Sequence, residues 1–176
     1  AFAGDTAWTY PLIAQITSYV ESFVNLRERA VDFIDAQKKI IHVLNESLNF
    51  VSDAADPSLE VPDCTFIFAG YSARKQEFMI NKIVFNDKRK KFEIIPSAKI
   101  NGEFLAVIGD KRPASAISRI VSEREKNNIS TDFKLDMIPS EAFVEVLTSN
   151  NFREIGGAPQ LTKIYQNMNQ QHIGVY

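Results

Sequence analysis

The chain has 176 residues, 45% of them hydrophobic, with a formal net charge of −2. That length and apolar content can bury one substantial core in a single domain, and the small negative charge excludes a global field that would hold nucleic acid or an anionic membrane surface. One cysteine, Cys64, excludes an internal disulfide framework and fits a reducing compartment. No apolar run approaches the ~20 residues of a bilayer span, so a cytoplasmic protein with no membrane or nucleic-acid partner is expected.

In chain order, the apolar pair Phe2-Ala3 runs into Gly4-Asp5-Thr6, a strand-to-helix corner. Glycine permits the tight turn, and Asp5 or Thr6 can cap the helix that follows. The chain reads as starting inside a folded domain. From Thr6 to about Asn25, Leu12, Ile13, Ile16, Tyr19, Val20, Phe23 and Val24 recur at helical spacing, with Pro11 early enough to be tolerated. A second helical pattern runs from Arg27 to Val51, with Ala30, Phe33, Ile34, Ile40, Ile41, Leu44, Leu48 and Val51 inward and Asp32, Asp35, Lys38, Lys39 and Glu46 mostly outward. The two predict a helix layer.

Ser52–Asp63, with two prolines, reads as a loop. Strand patterns follow at Thr65–Tyr71, Glu77–Phe85 and Lys91–Ile95, the last two joined by a hairpin turn at Asn86–Arg89. Pro96–Gly102 reads as a loop and Phe104–Ile108 as a strand ending at Gly109-Asp110. Pro113 suits the first turn of a helix to about Glu125, Lys126–Leu135 is a polar connection, and Pro139-Ser140-Glu141 opens a helix stopping at Asn150-Asn151. Gln160–Tyr165 and Ile173–Tyr176 read as closing strands around a polar turn, Gln166–Gln171. Helices covering packed sheets in one α+β domain, residues 1–176, follow from this order.

The corner Phe2-Ala3-Gly4-Asp5-Thr6-Ala7 and the order helix pair, strand run, Gly109, helix pair and Gly156-Gly157 entry into closing strands resemble proteasome β subunits and their bacterial heat-shock protease relatives. These are N-terminal-nucleophile (Ntn) hydrolases. The resemblance spans nearly the whole chain and implies a four-layer α/β/β/α sandwich lacking its first strands, so that the domain is N-terminally incomplete. It implies a threonine-type peptidase whose nucleophile and tuning lysine lie upstream of Ala1, a peptide or protein substrate, a homo-oligomeric ring and an ATPase partner. No cofactor or metal is implied. The alternative it carries is a non-catalytic structural subunit of such a ring.

Carried over residue by residue, Gly4 matches the glycine whose backbone N–H forms the oxyanion hole. Phe2, Thr6 and Tyr10 match positions around the specificity pocket. The plainer reading of the same residues is a corner glycine and a core phenylalanine. Asp110 falls where the family often has Gly-Ser-Gly supporting the nucleophile's amine; an acid there can orient an ammonium but biases the amine toward its charged, non-basic form. The family's Asp-then-Ser pair is not evident around Ile155-Gly156-Gly157-Ala158. His42, His172 and Cys64 read as structural or surface residues, Lys88–Lys91 as a solvated turn, and Asp132, Asp136, Glu141 and Glu145 lack metal-ligand spacing.

Overall fold

The computed structural model describes residues 1–28, 30–54, 62–100, 103–127, 137–157, 159–166 and 170–174. The chain opens with β1 (Phe2–Gly4) and turns at Gly4 into α1 (Thr6–Ser22). Asp5 is the cap: its carboxylate accepts from the Ala7 N–H at 2.8 Å, satisfying one of the free donors at the helix start. The helix is shorter than its apolar periodicity predicts. Phe23 leaves it in an extended conformation (φ −100°, ψ 105°), and its ring lies 4.4 Å from that of Tyr19 and 5.7 Å from the Lys39 ammonium. Those ring contacts take the place of one more helical turn, and α2 (Val24–Arg27) is a single separate turn.

The next helix, α3 (Phe33–Ala54), starts later than expected, which leaves Ala30 exposed instead of inward. Phe33, Ile40 and Leu44 do face the core, as periodicity predicts. A meander follows: β2 (Cys64–Ser72), β3 (Glu77–Asn86) and β4 (Lys91–Pro96). The predicted loop after Pro96 instead forms β5 (Ala98–Ile100), which pairs with β6 (Glu103–Leu105); the strand expected to reach Ile108 ends at Leu105. Pairing stops there because the next segment turns toward α4 (Lys111–Asn127), which packs on α5 (Ile138–Thr148). β7 (Gln160–Ile164) and β8 (Gln170–Gly174) close the chain as an antiparallel pair. Residues 55–61, 128–136, 167–169 and 175–176, which cover parts of the predicted loop, connection, turn and last strand, lie outside the described residues.

The fold is therefore mixed α+β, with a four-stranded antiparallel sheet in the order β1-β2-β3-β4 and five helices among the described residues. Phe2 stands opposite Phe66, and Phe66 opposite Ile83. One face of the sheet presents Phe66, Ile83 and Phe92 to Leu12 of α1 and to Ile40 and Leu44 of α3, forming the larger core. A second core joins Ile117 and Val121 of α4 to Ala142 and Val146 of α5, with Leu105 and Val107 packed against it. Side chains alternate across a strand, so Lys82 projects from the face opposite Ile83, where its ammonium donates to the Val107 carbonyl at 2.7 Å.

The outer edge of β4 is closed by a side chain. The Asn45 amide oxygen accepts from the Phe92 N–H at 2.7 Å, and its nitrogen donates to the Phe92 carbonyl at 3.2 Å, taking the place of a neighbour strand, which this edge lacks among the described residues.

Asp32, expected to face outward, is instead a hub. It accepts from the Ile34 N–H at 3.0 Å at the start of α3, from the Ser72 hydroxyl at 3.2 Å, and from the Arg74 N–H at 3.1 Å in the β2–β3 turn. Desolvation works to raise its pKa, but the bonds from Ile34, Arg74 and Ser72 and the charge of Arg74 outweigh it and hold the carboxyl below its ordinary value. A depressed native pKa means that the unfolded chain binds the proton first. The stabilisation is then present above the unfolded value of ~3.9 and lost as pH falls through the native one. Denaturant titrations of wild type and Asp32→Asn should show a gap that is constant at neutral pH and narrows below about pH 4; a gap unchanged at pH 3 would refute the hub's ionic character.

Candidate functional site

Gly4 sits where β1 meets α1 with φ +114°, a conformation that side chains disfavour. The Asp5 N–H donates to the Asp63 carbonyl at 2.8 Å and the Ile67 N–H to the Ala1 carbonyl at 2.8 Å. In an antiparallel ladder, hydrogen-bonded pairs alternate with non-bonded ones, so the pair Gly4 and Cys64 falls between bonds. The Gly4 N–H therefore points away from β2, toward the open edge of the sheet.

Beside β1 lies Gly109, at φ +116°, followed by Asp110 at the start of α4. A Cβ on Gly109 would lie 4.0 Å from that of Ala3, so the two segments run close together. Both line a cleft of about 600 Å³, whose walls include Gly4, Asp5, Asp63, Gly109, Asp110 and Glu154. The structure thus brings together Gly4 and Asp110. Phe2 and Tyr10 meet each other instead, edge to face at 5.7 Å, both partly open to solvent, and neither lines the cleft. Thr6 is exposed and lines it no more than they do.

Four carboxylates on one cleft require compensation. Asp5 and Asp110 occupy the N-terminal ends of α1 and α4, where the helix dipole favours negative charge. Glu154 is paired with Arg112 at 3.2 Å, and that guanidinium lies 5.6 Å from the Phe152 ring centre. Sequence reasoning missed Asp63 and Glu154, since neither belongs to a motif: one precedes β2 and the other follows α5, and only folding places them here. Among the described residues no group of three or more His, Cys, Asp or Glu has the geometry to hold a metal.

Cys64 is buried beside this cleft. Burial, with added repulsion from Asp63 and Asp5, pushes its thiol up to about 12, so it stays protonated and is no nucleophile at neutral pH. His42 is exposed, 3.9 Å from Glu46. Lys88, Arg89 and Lys90 lie on the exposed β3–β4 turn, with Arg89 paired to Glu93 at 2.8 Å. The side chain of His172, and Asp132 and Asp136 altogether, lie outside the described residues. No helix among the described residues is long and apolar enough to cross a membrane. Comparison with protein-family models, with curated proteins and with solved structures gave no match.

Proposed function

We propose that the chain is a proteasome-like Ntn hydrolase that cleaves amide bonds in peptide or protein substrates, with its reaction site in the cleft between Gly4 and Asp110. One observation carries this reading: two glycine corners far apart in sequence line one cleft, and the register of one of them turns its backbone N–H away from β2. An N–H fixed in that way can stabilise the oxyanion of a tetrahedral intermediate without reorganising. The nucleophile would be a Thr, Ser or Cys preceding Phe2 in the complete reading frame, its own α-amine serving as base. In this reading α1 with α3 and α4 with α5 are the outer layers of an α/β/β/α sandwich. Copies of the chain would form a ring, and an ATPase partner would deliver substrate.

A second reading, a non-catalytic ring subunit, is favoured by the acidic lining. Asp5, Asp63, Asp110 and Glu154 would hold a terminal amine as ammonium, which cannot accept a proton. N-terminal sequencing and intact mass of the protein expressed from its complete reading frame separate the two. The hydrolase is expected to begin at a processed Thr, Ser or Cys and to lose peptide hydrolysis when that residue becomes alanine. An unprocessed N-terminus without hydrolysis would establish the structural subunit instead.

A further inference from the structure

The face of the sheet opposite the larger core carries a second cavity, of about 290 Å³, whose walls include Lys82 of β3, Ser97 between β4 and β5, and Ser118 and Ser122 of α4. Ser97 is only 8% exposed, and its hydroxyl has no hydrogen-bond partner among the described residues. A buried hydroxyl left unpaired costs roughly 1–3 kcal/mol, so its survival in the fold points to a partner that arrives from the cavity. Lys82 spends one N–H on the Val107 carbonyl at 2.7 Å, which anchors the ammonium at the cavity wall and leaves two donors to direct elsewhere. Ser118 donates to the Ala114 carbonyl at 2.9 Å, so it offers the cavity only lone pairs. Among the described residues no carboxylate lines the space, and Ile95, Pro96, Leu105 and Val107 supply apolar wall.

A cation fixed by one carbonyl, an unpaired buried hydroxyl, no competing acid and an apolar wall together select a small organic anion. We infer that this cavity binds a short-chain carboxylate, its head on Lys82 and Ser97 and its hydrocarbon body against Ile95, Leu105 and Val107. The apolar surroundings strengthen the charge-assisted bonds. The volume lies at the small end of ligand pockets, which begin at roughly 300 Å³, and so limits the guest to a few heavy atoms. The cavity shares no lining residue with the Gly4 cleft, and the inference does not depend on the reading proposed for that cleft.

Butyrate is the probe, titrated into the full chain while the backbone amide shifts of Lys82, Ser97 and Val107 are followed by NMR. Saturable shifts with a Kd in the millimolar range or tighter are expected, weakened at least about tenfold by Ser97→Ala, because hydrogen bonds to charged groups are the strong class. Ser97→Ala removes only an unpartnered hydroxyl, so its fold should be retained with an unfolding midpoint no lower than that of wild type, and loss of binding reads directly on the site. Butyramide, the same shape without the charge, is expected not to saturate. The inference is overturned if butyrate produces no saturable shift at these amides, which would leave the cavity to water, if butyramide binds equally well, or if Ser97→Ala binds butyrate as wild type does.

Discussion

Gly4→Ala is expected to destabilise the protein by about 3–5 kcal/mol. The residue holds φ +114°, and a Cβ there would stand 2.0 Å from the Asp63 carbonyl oxygen and 2.8 Å from the Cys64 Cα. Both obstacles are backbone, so no side-chain rotation relieves them. Relief would pull β1 from β2 and break the 2.8 Å bond from the Asp5 N–H to the Asp63 carbonyl, the contact that holds the cap of α1 against the sheet. Gly109→Ala is the matched control. Its φ of +116° imposes similar backbone strain, but the nearest atom to its added Cβ is Ala3 Cβ at 4.0 Å, an ordinary contact, so roughly 1–3 kcal/mol of strain is all it should cost. Urea denaturation of the two variants should place Gly4→Ala well below Gly109→Ala; equal losses would mean that the corner lacks the described packing. In the proposed hydrolase the same substitution would displace the oxyanion donor, so peptide hydrolysis should fall further than the folded fraction does.

The corner was legible in the sequence because each of its residues has a narrow physical use: Gly4 for the turn, Asp5 for the cap. The meander was legible for a similar reason, since runs of β-branched and aromatic residues are interrupted by polar turns at 73–76 and 87–90. Patterns failed where a long-range contact overrode local preference. Nothing near Phe23 breaks a helix in sequence; Tyr19 and a lysine from α3 hold its ring instead. Asp32 looked like one more outward acid because its partners, Ser72 and Arg74, lie on another element. The cleft was half legible for the same reason. Gly4 and Asp110 each sit at a recognisable strand-to-helix turn, whereas Asp63 and Glu154 become neighbours only through the pairing of β1 with β2 and the return of the chain after α5.

The second large effect is expected at Phe92→Ala, a loss of about 3–5 kcal/mol. Phe92 is 1% exposed and packs edge to face on Phe66 at 6.0 Å and Phe85 at 5.4 Å, in the core that also holds Leu12, Ile40, Leu44 and Ile83. How much a cavity costs depends on how far its walls can close. Here the wall is pinned, because Asn45 of α3 grips both the N–H and the carbonyl of Phe92 itself, at 2.7 Å and 3.2 Å. β4 cannot move inward without leaving those two groups or the Asn45 amide unpaired. The loss should therefore fall toward the upper end of the range, and Asn45→Ala added to Phe92→Ala should cost less than Asn45→Ala alone, a coupling of 0.5–3 kcal/mol in a double-mutant cycle of denaturation free energies. Strict additivity would mean that the backbone grip and the buried ring act independently. Β4 would then owe its position to ring packing alone.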